Sequence, residues 1–495
     1  MSLVIQTLRS AKTPWEVFQV VHARSNACFF LDTPDSPQFR HGKDPGSPRH
    51  ASTDPVFSYI GMDPVLEVCL EKDLLHVQGE VNGKYPAGRF FQVLRELLKK
   101  YKTPAGSSLP FFSGGFVGYL GYEAAGLCDK FLLRAKPGPD IPKIFLGLFR
   151  NVIVYDHEKR VYRLVMHAAK GAARKESDKL KSYFEKAPAG SARHFRMNKF
   201  VPEMAKSRFK AMVSRAKEYI AAGDIYQANL SQRFSFAYEG SGLELYGKLR
   251  AINPSPFSCF FKAGELEIVS ASPERLIRKK GRVCETRPIA GTCPARGAAE
   301  KPATWRKKLL ESDKEKAEHL MLVDLERNDL GRVCDFRSVK VEEFMTLERY
   351  SHVVHLVSKI TGKLHKGKDA LDVIRAMFPG GTITGCPKIR CMEIIDELEP
   401  VQRGVYTGSL GYIDLCGDMD LNIVIRTILL RKGKGFLQVG AGIVHDSDPE
   451  KEYEETLHKA EALVKALREA SSGKNASSAR FREKNKTRLS RRTLP

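Results

Sequence analysis

The chain has 495 residues, of which 42% are hydrophobic and 28% charged, a balance typical of a soluble globular enzyme with one large core or two lobes. No run approaches about eighteen apolar residues, and the first segment, MSLVIQTLRSAKT, lacks the apolar centre of a signal peptide, so we expect a cytoplasmic protein without membrane contact. The ten cysteines are scattered without a CxxC pair, which argues against a zinc site or a disulfide framework.

The net charge of +23 raises the hypothesis of a nucleic-acid-binding protein. Much of the excess lies in flanking segments such as the C-terminal RFREKNKTRLSRRTLP, and no helix-turn-helix, RNP or zinc-finger pattern accompanies it. We therefore predict a basic, disordered tail at 468–495 and no specific nucleic-acid partner. Basic nucleic-acid binding stays as the remote alternative.

Residues 1–170 are predicted to form an N-terminal lobe. Runs that look like strands are WEVFQVVHA (15–23), ACFFLDT (27–33) and PVLEVCL (64–70), and a hairpin is predicted at 144–169. The Pro- and Ser-rich segment at 36–53 is predicted to be an exposed loop.

The next 35 residues, 171–205, are charged and lack apolar periodicity, which indicates a linker or a loosely packed helix. From 206 onwards the pattern is regular again. FKAMVSRAKEYIAAGD predicts a helix, IYQANLSQRFSF a strand and AEHLMLVDLERNDLGRV a second helix. We assign 206–467 to a second lobe.

The stretch from Phe378 to Thr427 is the most informative part of the second lobe. Three glycines, Gly380, Gly381 and Gly385, let the backbone approach a small ligand closely. A helix is predicted after them, with Thr384 as its cap, and its free N–H groups beside Lys388 indicate a place for an anion. The apolar face of this helix consists of Ile389, Met392, Ile395 and Leu398.

Two strands are predicted after this helix, VYTGSLGYID and LNIVIRT, with a turn at Gly417-Asp418 between them. Arg426 lies at the end of the second apolar run. A cation there is costly unless it meets a carboxylate.

The stretch 378–427, together with IYQANLSQRF and DLERNDLGRVC, resembles the C-terminal signature of the chorismate-utilising enzymes. These are the large components of anthranilate synthase and aminodeoxychorismate synthase, with isochorismate and salicylate synthases as more distant relatives. The resemblance implies an α/β (α+β) fold of two large antiparallel sheets packed face to face with flanking helices. It also implies chorismate as substrate, Mg²⁺ as cofactor and an active site lined by the C-terminal half.

The same resemblance assigns catalytic roles. Glu274 in SASPERL matches the general acid, and His355 in ERYSHVVHLVSK matches a residue for proton transfer or substrate contact. From the residues alone, Glu274 could equally be a surface glutamate after a turn, and His355 a structural histidine. In TRPIAGT, Ala290 stands where typical aminodeoxychorismate synthases carry the lysine of PIKGT, and Thr292 completes the motif.

For the substrate, the resemblance points to Thr382, Tyr406, Arg426, Gly440, Gly442 and Lys459. For the metal it points to Glu318 and Glu455, with Glu452 acting through water. Glu452, Glu455 and Lys459 share one helical face, which without the resemblance is the pattern of a solvated charged surface.

An effector site is the last implication. Thr33 and the pair Asn253-Pro254 match positions where anthranilate synthases hold feedback tryptophan. Residues of these types also make plain turns, so both interpretations stay open.

The resemblance predicts Mg²⁺-dependent amination of chorismate to 4-amino-4-deoxychorismate, for 4-aminobenzoate and folate synthesis. The alternative is anthranilate synthase, which Ala290 favours because no lysine amine is available to attack C2. Isochorismate and salicylate synthases typically carry a lysine base where this chain has Gln227, which disfavours both. Because no glutaminase motif is present, we expect a separate glutamine amidotransferase subunit, component II, to supply the ammonia.

Overall fold

The computed structural model describes residues 2–33, 56–102, 109–129, 133–134, 136–169, 171–187, 194–294, 309–349 and 353–472. The α-helices of this part are α1 Pro14–His22, α2 Phe90–Tyr101, α3 Ala173–Glu185, α4 Lys206–Ala221, α5 Gly242–Ile252, α6 Asp313–Gly331, α7 Ala370–Met377, α8 Lys388–Leu398 and α9 Pro449–Ser471. Short 3-10 turns lie at Ala87–Arg89, Tyr122–Leu127 and Gly381–Ile383. Within these ranges no helix is both long and apolar enough to span a membrane.

The strands of the first half are β1 Ser2–Leu8, β2 Ala27–Asp32, β3 Phe57–Met62, β4 Leu66–Glu71, β5 Leu74–Gly79, β6 Gly83–Pro86, β7 Gly115–Leu120, β8 Ile144–Phe149, β9 Asn151–Asp156, β10 Val161–Ala168, β11 Arg196–Met197 and β12 Val201–Pro202. Those of the second half are β13 Gln227–Glu239, β14 Phe257–Ala263, β15 Leu266–Ser272, β16 Arg275–Lys280, β17 Val283–Thr286, β18 Ile289–Pro294, β19 Lys340–Arg349, β20 Val353–Lys363, β21 Gly385–Cys386, β22 Ser409–Asp414, β23 Met419–Asn422, β24 Thr427–Arg431 and β25 Lys434–Ile443.

These strands form two antiparallel sheets. The first runs β1-β10-β9-β3-β2-β14-β15-β24-β25-β13-β11, with β12 and β21 also paired to β13. The second runs β18-β20-β17-β16-β23-β22-β7-β8-β4-β5-β6, with β19 paired to β20. The predicted architecture of two large antiparallel sheets with flanking helices is confirmed.

Aromatic side chains fill the space between the sheets. The ring of Phe29 on β2 meets that of Phe149 on β8 edge to face, with 4.8 Å between the ring centroids. Phe145 and Phe261 make a similar contact at 5.8 Å. Helices α1, α3, α5 and α9 pack on the first sheet, and α2, α6 and α7 pack with the second. Helices α4 and α8 contact β13 of the first sheet. Burial of this apolar surface holds the two layers together.

The segment predicted as a strand at 15–23 is instead part of helix α1. The Thr13 hydroxyl accepts the amide of Glu16 at 3.3 Å, and the Glu16 carboxylate accepts the amide of Thr13 at 2.8 Å. This capping box, with Pro14 at the start of the helix, outweighs the strand preference of the valines. The prediction was wrong because the valines were weighed without the cap.

The apolar run LNIVIRT is not one strand. β23 ends at Asn422 in the second sheet and β24 begins at Thr427 in the first, so Ile423–Arg426 crosses between the two sheets. Arg426 has a φ of 50°, a left-handed conformation that turns the chain into β24. The crossing brings this arginine close enough to Glu274 and His355 for its charge to act on both.

Helix α8 forms where predicted, but its start differs from the prediction. Pro387 is the N-cap, and the Thr384 hydroxyl donates to the Gly380 carbonyl at 2.9 Å instead of capping the helix. Lys388 is 7% exposed and forms an ion pair with Asp329 of α6. Its charge is therefore already paired, and the anion site expected at this helix tip stays a prediction without the help of Lys388.

Both predicted lobes contribute strands to each sheet, since β2 pairs with β14 and β7 pairs with β22. Part of the predicted linker at 171–205 forms α3, whose Leu180 and Tyr183 are buried. Helix α9 continues past the predicted boundary at 467. The loop predicted at 36–53 and the tail after 472 lie outside the described residues.

Candidate active site

Glu274 lies between β15 and β16 and is 6% exposed. Its carbonyl accepts the amide of Ile423 at 3.0 Å, which fixes it against the crossing segment. Burial raises the pKa of the Glu274 carboxyl to about 7. The charges of Arg426 and Lys459 oppose that rise, as does the nearby Thr382 hydroxyl. A carboxyl that holds its proton near neutral pH is suited to general acid catalysis.

His355 lies on β20, at 2% exposure. Burial and the charge of Arg426 lower the pKa of His355 to about 3, although a hydrogen bond with the backbone of Gly291 opposes the fall. The imidazole is therefore neutral at physiological pH, a form that can accept a hydrogen bond or a proton.

Ala290 is 6% exposed on β18 and pairs with Leu356, next to His355. A bulge follows it, with Gly291 at a φ of 72°. Thr292 stands opposite His355 in the register, and its side chain lies outside the described part. The position of the lysine in the resembling motif thus carries only a methyl group, on the strand that pairs with the strand of His355.

Two glycines of β25 border the same space. A Cβ on Gly440 would lie 2.6 Å from Asn229 Oδ1 and 2.8 Å from the Tyr406 hydroxyl. A Cβ on Gly442 would lie 2.5 Å from Gln227 Nε2. Real Cβ atoms do not approach so closely, so only glycine lets these polar side chains face the bare strand.

Several buried oxygens of the candidate residues and their neighbours lack a hydrogen-bond partner of ordinary geometry within the described ranges. They are Gln227 Oε1, Asn229 Oδ1, Glu274 Oε1 and Thr382 Oγ1. Buried polar atoms are normally paired, so a group of orphans indicates a place where a polar ligand or water binds.

Charged side chains lie at the same glycines. Lys459 of α9 donates to the Gly440 carbonyl at 3.1 Å and pairs with Glu455 at 2.7 Å. Glu318 of α6 accepts from Gln227 Nε2 at 2.9 Å and lies 3.8 Å from the position that a Cβ would take on Gly442. Glu318 and Lys459, far apart in sequence, therefore meet at one strand.

A buried ion pair links several of the segments that carry site residues. Arg403 and Glu399 are 3% exposed each and form two hydrogen bonds, at 2.9 and 2.7 Å. The same guanidinium donates to the carbonyls of Ile383 and Asn229, at 3.1 and 2.6 Å. It also lies over the Tyr406 ring, 5.7 Å from the centroid. Arg403 thus joins the turn that carries Thr382 to two further elements of the site, and sequence reasoning missed it.

The predicted effector residues also come together, away from this site. The Thr33 hydroxyl donates to the Phe57 carbonyl at 2.9 Å, one residue after β2. β2 pairs with β14 through Asp32 and Ser258, and Asn253-Pro254 lie just before β14. Asn253 Nδ2 is buried without a hydrogen-bond partner among the residues that the structure covers. An effector role stays a prediction.

Comparisons with known proteins identify the family of this chain. A sequence model described as "chorismate binding enzyme" matches residues 49–465. The chain belongs to the chorismate-binding enzyme family. It is 39% identical over 419 residues to aminodeoxychorismate synthase component 1 of Bacillus subtilis (strain 168), a match that covers 83% of this chain and 89% of that protein. It is 42% identical over 437 residues to anthranilate synthase component 1 of Aquifex aeolicus (strain VF5), with 83% and 86% covered.

The fold matches as well. The crystal structure of anthranilate synthase component I from Streptococcus pneumoniae TIGR4 is similar with a TM-score of 0.73 and 34% identity, over 86% of this chain and 97% of that one. The resemblance to chorismate-utilising enzymes is thereby confirmed at the level of the family, which contains relatives with both product names.

The glutamates predicted to bind metal fit Mg²⁺ by donor type, because this ion prefers carboxylate oxygens and water. Glu318 and Glu455 border the Gly440–Gly442 segment, while Glu452 accepts the Ser447 hydroxyl at 2.7 Å. In the described ranges no group of three His, Cys, Asp or Glu side chains is close enough to hold a metal by itself. These residues fit an ion that takes part of its coordination from water and substrate.

Two further site residues had a sequence signal. Gln227 and Asn229 are two positions apart on β13, so both side chains point to the same face of the sheet. Gln227 was weighed only as a replacement for a lysine base, yet it holds Glu318. Asn229 was not predicted at all.

Proposed function

We propose that this protein catalyses the Mg²⁺-dependent amination of chorismate by ammonia to 4-amino-4-deoxychorismate. The observation that carries the proposal is Glu274, a buried acid with a pKa near 7 under the influence of Arg426 and Lys459. Chorismate has two carboxylates and a poor leaving group, the C4 hydroxyl. A protonated carboxyl beside two cations matches both features of this substrate.

Each residue has a defined task in this reaction. Arg426 binds one substrate carboxylate through its planar guanidinium, and Lys459 attracts the other. Glu274 gives its proton to the departing hydroxyl. Neutral His355 contacts the substrate or moves a proton, and Thr382 and Tyr406 supply hydroxyls for orientation. The bare backbone at Gly440 and Gly442 leaves room for the ring.

Glu318 and Glu455 would hold Mg²⁺, with Glu452 supporting it through water. When bound, the ion supplies a positive charge that orients a carboxylate and favours loss of the hydroxyl. Lys459, which pairs with Glu455, exchanges that partner for the substrate.

Ala290 favours a second candidate, anthranilate synthase. Without a lysine amine at this position, ammonia could attack C2 directly, and loss of pyruvate would then give anthranilate. We retain C4 amination because the extended motifs IYQANLSQRF, DLERNDLGRVC and GGTITGCPKIR resemble aminodeoxychorismate synthase more closely. Without a covalent lysine adduct, ammonia forms the C–N bond at C4 directly as the C4 hydroxyl leaves with the proton of Glu274.

The nitrogen source is a glutamine amidotransferase subunit, component II, in the cytoplasm. Free ammonium at high concentration replaces that subunit in the test.

Product analysis tests the proposal. Purified protein is incubated with chorismate, Mg²⁺ and excess ammonium at alkaline pH, and the products are separated with and without an added aminodeoxychorismate lyase. The expected result is 4-aminobenzoate that forms only with the lyase. Fluorescent anthranilate and pyruvate without the lyase would overturn the C4 assignment and make Ala290 the decisive residue. No product, even with a glutaminase subunit present, would overturn chorismate amination itself.

A further inference from the structure

Asn229 of β13 is a further polar residue at the strand that carries Gly440. A Cβ on Gly440 would lie 2.6 Å from Asn229 Oδ1 and 2.8 Å from the Tyr406 hydroxyl, so both polar atoms face the same point of β25. Lys459 donates to the Gly440 carbonyl at 3.1 Å. Asn229 therefore lies beside three residues to which the proposed function assigns a place around the substrate.

The main chain of Asn229 is fixed on both sides. Its amide donates to the Thr384 carbonyl at 2.9 Å, and its carbonyl accepts from Arg403 Nη2 at 2.6 Å. The flanking residues Ala228 and Leu230 are fully buried. These contacts hold the position of Asn229 and leave its side-chain amide as the group that can meet a ligand.

The oxygen of this amide is an acceptor without a donor. Asn229 Oδ1 is buried, and no residue of the described part of the chain forms a hydrogen bond with it. Gln227 Oε1, two positions earlier on the same face of β13, is in the same state, but the Gln227 Nε2 donates to Glu318 at 2.9 Å. Buried acceptors are normally paired, so we expect the ligand of this site to supply a donor to Asn229.

Chorismate offers one donor of this kind. When both of its carboxylates are ionised, the hydroxyl at C4 is the single hydrogen-bond donor of the molecule. The carboxylates and the ether oxygen only accept hydrogen bonds, and the carboxylates are suited to the cations Arg426 and Lys459. A buried acceptor without a donor therefore matches the C4 hydroxyl among the groups of this substrate.

The spacing along β25 agrees with this orientation. Glu318 lies 3.8 Å from the position that a Cβ would take on Gly442, whereas Asn229 faces Gly440. Two residues of an antiparallel strand span about 7 Å, comparable to a six-membered ring with substituents at both ends. The carboxylate at C1 and the hydroxyl at C4 are such substituents. With the C1 carboxylate at the Glu318 end, where the proposed metal site lies, the C4 hydroxyl comes to the Asn229 end.

We propose that Asn229 is a substrate-contacting residue whose Oδ1 accepts a hydrogen bond from the C4 hydroxyl of chorismate. The inference rests on the proposed function, which makes chorismate the substrate. In that reaction the C4–O bond breaks, and the oxygen leaves as water with the proton that Glu274 gives. Asn229 makes and breaks no covalent bond. By holding the hydrogen of the hydroxyl, it leaves the lone pairs of the oxygen to accept the proton of Glu274.

Two ligands and one variant test the contact. Chorismate and 4-deoxychorismate, the analogue without the C4 hydroxyl, are titrated calorimetrically into the full chain with Mg²⁺ and without ammonium. The wild type should bind chorismate about tenfold more tightly than the analogue, the effect of one buried hydrogen bond. In Asn229→Leu, which keeps the approximate size but removes the acceptor, the ratio of the two Kd values should fall to about one. An unchanged ratio in this variant would overturn the proposal.

Asn151→Leu is the matched control. Asn151 of β9 is also half-buried, and its Oδ1 is also buried without a partner among the residues that the structure describes. This variant should keep the wild-type Kd for both ligands. A loss of the ratio in Asn151→Leu as well would assign the effect to the fold and overturn the contact.

Asn229→Asp covers the case in which Asn229→Leu does not fold. Its carboxylate keeps an acceptor at the same place but repels a dianionic ligand. Both ligands should therefore bind more weakly, while chorismate stays preferred by at least about tenfold. A ratio of about one in Asn229→Asp would contradict the hydrogen bond.

The outcomes separate this inference from the proposed function. A wild type that binds both ligands equally would overturn the contact and leave C4 amination untouched. A wild type that prefers chorismate but makes anthranilate would overturn C4 amination and leave the contact in place. If the wild type binds neither ligand, both fail.

Discussion

At Glu274, burial and charge act on one carboxyl in opposite directions. Desolvation raises its pKa, while Arg426 and Lys459 lower it, and the balance is about 7. Deeper burial alone would hold the proton too tightly, and full exposure would lose it at physiological pH. The fold sets this balance because the crossing segment and α9 both run beside Glu274 and supply Arg426 and Lys459.

Replacing Glu274 by Gln should lower kcat for chorismate by about 10²- to 10⁴-fold, because the amide keeps the shape but cannot give a proton. KM should change little. Steady-state kinetics with saturating ammonium measure both constants. Glu67→Gln, a half-buried glutamate on β4, is the control and should retain wild-type kinetics. A Glu274→Gln protein with more than a tenth of wild-type kcat would contradict the role of acid.

The same residue makes stability depend on pH. Its pKa is raised from 4.5 to about 7, so the contribution of Glu274 to stability is greatest at low pH, where the group is protonated in both states, and falls by up to about 3 kcal/mol as pH rises through this window. Glu274→Gln carries no charge and avoids the loss. In denaturant unfolding, the free energy of unfolding of Glu274→Gln relative to that of the wild type should increase between pH 5 and pH 8. An equal difference at both pH values would contradict the raised pKa.

At the scale of elements, β25 is the strand that the site is built on. Gly440→Ala would place a methyl group 2.6 Å from Asn229 Oδ1 and 2.7 Å from the Leu230 carbonyl, and the backbone atom cannot move aside. We expect at least about a tenfold rise in KM for chorismate, equivalent to about 1.4 kcal/mol. Gly126→Ala, with no atom within 4 Å of its new methyl, is the matched control. Equal kinetics of the two variants would show that β25 does not border the substrate.

Local sequence pattern was sufficient for three helices, since α4, α6 and α8 lie where they were predicted. It failed at α1, where a local cap decided between helix and strand, and at 421–427, where an apolar run serves two sheets in succession. A uniformly apolar run carries no signal for the residue at which it changes sheets. Pairing of Lys388 with Asp329, 59 residues away, was equally invisible, because no local rule specifies it.

At the scale of the molecule, the two sheets bring together residues from β13, α6, β18, β20, β25 and α9 and from the segments between elements that carry Glu274, Thr382 and Arg426. The candidate residues were identified through resemblance, and their convergence could not be derived from spacing alone: the Gln227–Glu318 contact joins positions 91 residues apart. The sequence did indicate two local features of the site. One is glycine where the backbone approaches polar groups, and the other is a cation, Arg426, at the end of an apolar run.

The C-terminal segment should be separable from catalysis. Residues 473–495 include eight Lys or Arg and one Glu. Truncation after Ser472 should leave kcat and KM for chorismate within about twofold and weaken any salt-sensitive binding to nucleic acid. Kinetics and a DNA-binding assay at two salt concentrations test both parts. Loss of turnover on truncation would contradict the division of the chain at this helix.

The position of nitrogen in the product tests the central claim most directly. Wild-type protein is given chorismate, Mg²⁺ and ¹⁵N-ammonium, and the product is examined by NMR without prior hydrolysis. We predict ¹⁵N bonded to ring C4, in a product that keeps its enolpyruvyl group. Nitrogen at C2, or chorismate left without any ¹⁵N, would contradict C4 amination, and the second of these outcomes would contradict amination altogether.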